Sequence, residues 1–180
     1  MRNGKSSAGT SDTESPLLFR EVQRFRQWFL WVPALVVTGV IWWQFVEQVV
    51  RGNPQGTEPI PDYLAWILTL VFGVGIPVFM AFLRLVTEVR LGLLSVGLAP
   101  FRSRLIPVHE IHGARSREYS PMAEFGGWGI RTASDGSRAY NAYGTMGVQL
   151  TLTDGSRILV GTQRAEELLA ALRAAGAKID

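Results

Sequence analysis

Two stretches of this chain hold residue types that do chemistry when suitably spaced. The first, His109-Glu110-Ile111-His112, contains both histidines of the sequence beside a carboxylate. A metalloprotease needs two histidines one helical turn apart with a glutamate between them as base. Here the histidines stand at i and i+3, and Pro107 with its flanking pattern favours a strand or turn, in which i and i+3 point to opposite faces. A third ligand is not evident, so no metal is expected at this stretch. The second stretch, Glu124 to Arg131, reads EFGGWGIR. Glycines beside an arginine can cradle a ligand, or they can bend a strand. The stretch lacks both the lysine of a phosphate loop and the G-x-G-x-x-G of a dinucleotide turn. Gly126, Gly127, Trp128 and Gly129 therefore read as a structural motif. The backbone bends at the glycines, Trp128 and Ile130 share one buried strand face, and Arg131 points the opposite way.

Other chemistries have fewer candidates still. Ser116, Ser120 and Ser134 stand outside any G-x-S-x-G elbow. Glu118 and Glu124 read as surface charge. The absence of cysteine removes a disulfide scaffold, a cysteine-ligated zinc site, an iron–sulfur cluster and a thiol nucleophile. No catalytic residue, cofactor or metal ligand is expected, and the chain does not read as an enzyme. What remains is a set of arginines, Arg102, Arg104, Arg115, Arg117 and Arg131, as candidate contacts to lipid or to a protein partner. Near an anionic membrane surface each would contribute about 1 kcal/mol. The plain alternative, solvated strand faces, has equal weight. A net charge of +3 is too small a surplus to indicate nucleic acid.

The elements that must position these residues begin with two apolar runs. No charged residue occurs from Trp28 to Val46 or from Tyr63 to Leu83. A helix needs roughly 20 apolar residues to cross a bilayer, so the runs predict transmembrane helices over about 28–48 and 63–83. Trp28, Trp31, Trp42, Trp43, Tyr63 and Trp66 stand near the ends, where such rings favour the headgroup level. Pro77 predicts a slight bend in the second span, and Gly39, Gly73 and Gly75 would permit close helix contact. Arg20, Arg24 and Arg26 precede the first run, and Arg84 and Arg90 follow the second. The intervening loop has only Arg51, balanced by Glu58 and Asp62. The positive-inside bias then predicts a multi-pass protein of the inner (plasma) membrane with both termini cytoplasmic.

Residues 1–15 are polar and read as a disordered tail. Residues 16–83 read as an amphipathic lead-in followed by the two spans, since Leu18, Val22, Phe25 and Phe29 recur at helical spacing. From residue 84 to 180 the pattern is short strands. Turns are expected near Gly92, at Asp135–Gly136 and at Asp154–Gly155, and Val148, Leu150 and Leu152 alternate with polar residues. A closing helix follows, with Thr162 as N-cap, Leu168, Leu169 and Leu172 as its buried stripe and Gly176 as its stop.

In this order the stretches RLIPVHEIHGARSREYSP, EFGGWGIR and AYNAYGTMGVQLTLTDGSRILVGTQRAEELLAAL, with FREVQRFR before the first span, resemble the bacterial pleckstrin-homology-like (PH-like) domain family, in its membrane-anchored members of unknown function. The resemblance implies an α+β protein: a two-helix transmembrane hairpin followed by a small seven-stranded antiparallel β-barrel with a C-terminal helix. It implies no catalytic residues. The basic first hairpin that marks phosphoinositide binding is missing, with only Arg90 near that turn. The expected role is a cytoplasmic binding or scaffolding module whose partners are membrane lipids and a protein. An accessory subunit of a larger membrane complex is the alternative, and a membrane enzyme with an arginine-lined pocket a more distant one.

Overall fold

A computed structural model describes residues 15–53 and 60–179. The expected tail lies outside these except for Ser15. The chain forms two compact units: Phe25–Leu83, and the residues on either side of it, up to Arg24 and from Arg84 onward. Among the described residues the fold is α+β, with two long apolar helices and nine strands.

The helices run over Trp28–Val50 and Asp62–Phe82 and are long and apolar enough to cross a membrane. Both widen locally into a π-helical turn, Val46–Val50 in the first and Thr69–Val74 in the second. Proline has no N–H to donate, so Pro77 leaves the carbonyl of Gly73, four residues earlier, without its helical partner. The indole of Trp42 on the first helix donates to that carbonyl at 3.1 Å. A Cβ on Gly73 would lie 3.1 Å from the same indole nitrogen, so the close approach needs glycine there. Of the three glycines expected to permit helix contact, only Gly73 does so. Gly39 faces open space, and a Cβ on Gly75 would meet only its own helix. Phe45 and Trp66 add an edge-to-face ring pair at 4.6 Å.

The β unit has two sheets. The first has the order β1-β2-β3-β4, with β1 Leu17–Arg24, β2 Arg84–Arg90, β3 Leu93–Ala99 and β4 Arg104–Pro107. The second has the order β5-β8-β9-β7-β6, with β5 Ile111–Glu118, β6 Gly129–Thr132, β7 Arg138–Asn141, β8 Met146–Leu152 and β9 Arg157–Gly161. All pairings are antiparallel except β7 with β9. The expected turns are present at Gly92, Asp135–Gly136 and Asp154–Gly155. The sheets do not close into the expected barrel. After β4 the chain makes a tight turn at Val108–Glu110, anchored by the Val108 N–H on the Gly92 carbonyl at 2.8 Å, and continues into the other sheet. The C-terminal helix Ala165–Ala174 packs on β1, β2, β5 and β8. Leu168, Leu169 and Leu172 are buried as expected, with Leu85, Val89, Leu94, Leu150 and Ile158.

The sequence reading differs from the structure most at the lead-in. Leu17–Arg24 is a strand rather than a helical turn, and it belongs to the β unit rather than to the helices. Its buried face is Phe19, Glu21 and Gln23. With two polar residues facing inward, the period of two is invisible to hydropathy, while Leu18 and Val22, which suggested a helix, are exposed. What holds β1 is polar. The Glu21 carboxylate accepts from the Thr162 hydroxyl and from the Gln163 N–H at 3.0 Å. The Gln23 amide donates to the Gly161 carbonyl at 2.8 Å. The Arg164 guanidinium lies over the Phe19 ring at 5.1 Å. Thr162 is therefore not the N-cap of the last helix. Arg164 is, and the Thr162 hydroxyl accepts from the Arg164 N–H at 3.0 Å, forming a turn just before it.

Candidate functional site: an arginine cleft on the second sheet

Strand alternation decides which side chains share the outer face of the second sheet. On β8, Val148, Leu150 and Leu152 point to the core, so Gln149 and Thr151 point away. Arg115 pairs with Gln149, Arg117 with Gly147 and Gly113 with Thr151. On the other side of β8, Arg157 pairs with Thr151 and Leu159 with Gln149. Arg115, Arg117 and Arg157 thus stand on one face across three adjacent strands. They line a cleft of about 770 Å³ walled by the short helix Pro121–Phe125 and by the β6–β7 turn.

Each wall is tied to the floor by an arginine. Arg117 holds Glu124 of the short helix at 2.7 Å and reaches the Gln149 amide oxygen at 3.1 and 3.2 Å. Glu124 also accepts from the Ser120 N–H at 2.9 Å, while the Ser120 hydroxyl accepts from the Ala123 N–H at 3.4 Å. The helix start is closed in both directions, as in a capping box. The hydrogen bond from Arg117 holds the Glu124 carboxyl below its usual value. On the other wall Arg157 holds Asp135 at 2.7 Å. The hydroxyl and N–H of Ser137 both bond to Asp135 and depress its carboxyl first, with Arg157 adding to the effect. Arg115 has no ion pair among the described residues, and His112 also lines the cleft.

The EFGGWGIR stretch serves one wall. Gly126 takes a left-handed conformation, φ 67°, directly after the short helix. Its N–H bonds to the Met122 carbonyl, the single closure of an αL cap, and the N–H of Gly127 reaches the Pro121 carbonyl. The buried aromatic of the stretch is Phe125, not Trp128. Phe125 packs edge-on to Tyr119 at 6.1 Å in a small cluster with Ala139 and Leu159. Burial raises the Tyr119 phenol above its ordinary pKa. Trp128 is only half-buried and Ile130 is exposed. The reason is local: β6 starts at Gly129, whose φ is 107°, so Trp128 precedes the strand and the alternation expected between them is broken. Arg131 folds back and donates to the Trp128 carbonyl at 3.0 Å. Phe125→Ala is therefore expected to cost about 3 kcal/mol and Trp128→Ala about 1 kcal/mol. Chemical unfolding of both variants, followed by circular dichroism, checks the order, and the reverse order would restore Trp128 as the anchor.

Of the five arginines singled out in the sequence, the structure brings Arg115 and Arg117 together. Arg104 opens β4 in the other sheet and Arg102 lies in the loop just before it, and Arg131 serves its own bend. His109 sits in the tight turn and His112 on β5. Among the described residues no group of three metal-ligating side chains occurs. Sequence reasoning missed Arg157, Gln149 and Asp135. The alternation of Ile158 and Val160 already placed Arg157 opposite the core, but not which strands it would neighbour. The sequence model of one protein family, described as a family of unknown function (DUF6141), matches residues 10–179. No curated protein matches the chain.

Proposed function

The chain belongs to this family of unknown function, and we propose that it is an integral membrane protein carrying a PH-like binding module on the cytoplasmic side of the inner membrane. The observation that carries the reading is the register of β1 with β2, in which Arg24 pairs with Arg84. The two apolar helices are therefore inserted into the connection between neighbouring strands of one sheet. A chain that leaves a folded unit at one residue and returns to its register partner crosses a bilayer an even number of times. Two spans satisfy this, and the arginines flanking them put the unit inside. Burial supports spans over core helices: only 6% and 17% of the two apolar windows are buried. The PH-like reading is supported by the antiparallel sheets packed with a C-terminal helix, even though the strands among the described residues number nine and form no closed barrel.

Binding is favoured over catalysis by the state of the cleft's acids. Hydrogen bonds lower the carboxyl pKa of both Glu124 and Asp135, which moves them away from the near-neutral range that suits a general acid or base. The natural absence of cysteine makes the topology directly testable. Single cysteines at Ser7, Gln55 and Lys178 are probed with a membrane-impermeant maleimide. Gln55→Cys is expected to react in intact spheroplasts, and Ser7→Cys and Lys178→Cys only after the membrane is opened. Reaction of Lys178→Cys in intact spheroplasts would overturn the orientation. In-cell crosslinking of the tagged chain then reads out the module's partners, and finding neither protein nor lipid would count against a binding role.

A further inference from the structure

We infer that the cleft on the second sheet binds a phosphomonoester, with the phosphate held between Arg115 and Arg157. The inference rests on the reading of the β unit as a binding module but does not need the two helices to cross a membrane.

Charge is the first argument. Three guanidiniums and two carboxylates line the cleft, together with His112. Arg117 is committed to Glu124 and Gln149 and serves as a structural tie. Arg157 is bridged to Asp135 with both side chains about half exposed, a kind of pair that is weak in water and easily exchanged for a ligand oxyanion. Arg115 has no acidic partner among the described residues, so the cleft has one cation in excess.

Spacing is the second argument. Arg115 on β5 pairs with Gln149 and Arg157 on β9 pairs with Thr151, so their backbones, two strands across and two residues along, stand roughly 12 Å apart. Thr151 and, beyond it, Gly113 are the register neighbours of Arg157, while Gln149, opposite Arg115, is held by Arg117. Gly113 and Thr151 leave a low floor beside Arg157 toward which the long Arg115 side chain can reach, and Thr151 adds a hydroxyl. One guanidinium fork already satisfies both oxygens of a carboxylate. Two forks from opposite sides match a group with three terminal oxygens and about two charges, as a phosphomonoester has. The cleft, at about 770 Å³, lies within the range of small-molecule sites, roughly 300–1,000 Å³, and leaves room for the rest of the ligand.

The test uses the full chain in phosphatidylcholine nanodiscs, titrated with glycerol 3-phosphate by calorimetry. Saturable binding is expected, weakened about tenfold or more in Arg115→Gln, the loss of one charged bidentate contact. Arg157→Gln is expected to weaken it several-fold, and Arg131→Gln, outside the cleft, to leave it unchanged. Arg115→Lys keeps the charge but not the fork and is expected to fall between wild type and Arg115→Gln, which guards against misfolding of a single variant. A second set of nanodiscs doped with phosphatidic acid identifies the source. If free glycerol 3-phosphate then binds more weakly, the lipid headgroup reaches the cleft; if not, the ligand is a soluble phosphomonoester. The inference is overturned if neither form binds saturably, or if Arg115→Gln and Arg115→Lys both bind as wild type does. A protein partner captured by crosslinking with no phosphomonoester bound would sink the ligand class and leave the module reading standing. Glycerol 3-phosphate binding with Lys178→Cys labelled from outside would do the reverse to the membrane reading.

Discussion

Replacing Phe25–Leu83 with a short Asn-Gly turn is expected to yield a water-soluble β unit that unfolds in one cooperative step. The strands flanking the replaced segment are already neighbours, in unbroken register from Phe19↔Val89 to Arg24↔Arg84. Asn-Gly favours the turn geometry that joins adjacent antiparallel strands. The core residues Leu85, Val89, Leu94, Leu150, Ile158 and Leu168 all come from the strands and helix that remain. Excision also removes the large apolar surfaces of both helices, the main source of insolubility. The measurement is expression without detergent, size-exclusion chromatography and thermal unfolding by circular dichroism. An aggregated or non-cooperative product would show that the helices are needed to fold the sheets. The complementary truncation, which starts the chain at Arg84, is expected to fail. It strips β1 from the edge of the first sheet and uncovers the inward face that Phe19, Glu21 and Gln23 now close.

Glu21→Ala is expected to lower the stability of the β unit by about 3 kcal/mol, since a hydrogen bond to a charged group is worth about 1.5–3 kcal/mol and two are lost. The Glu21 carboxylate is buried, and it satisfies the Thr162 hydroxyl and the Gln163 N–H together. Alanine leaves both donors short of a partner in a region where water does not readily replace it. Glu21→Gln keeps one acceptor oxygen and should lose about half as much. Urea unfolding of the excised unit measures the difference, and hydrogen exchange at the Gln163 amide in the full chain gives an independent reading. A loss under 1 kcal/mol in Glu21→Ala would mean that β1 is held by its ladder alone.

These two expectations turn on the same strand, and that strand marks where sequence reading stops. Hydropathy sees β1 poorly because its inward face carries a glutamate and a glutamine. Their partners, Thr162, Gln163 and Gly161, lie near the other end of the chain, and no local pattern indicates such a meeting. The apolar runs were the opposite case. Their length and lack of charge are properties of composition, so both long helices appear close to the expected bounds. The β8–β9 hairpin was likewise legible, because its alternation and its Asp154–Gly155 turn are local. Trp128 misled for a local reason too: size suggested burial, but Gly129 takes a positive φ that breaks the strand pattern just after it.

The arginines show the same division at the candidate site. Sequence alone determined that the β unit would carry exposed cations on alternating strands, since an arginine opposite a core residue must face outward. It could not decide that Arg115, Arg117 and Arg157 would share one face, because that depends on the order β5-β8-β9, in which strands far apart in the chain become neighbours. Nor could it decide that Glu124 and Asp135 would neutralise two of them and leave Arg115 in excess. Local composition sets the elements and which way their side chains alternate, whereas a site needs charges from several strands within a few ångströms of one another. Only the pairing of the strands brings them there, and with it comes the balance of charge that the cleft presents.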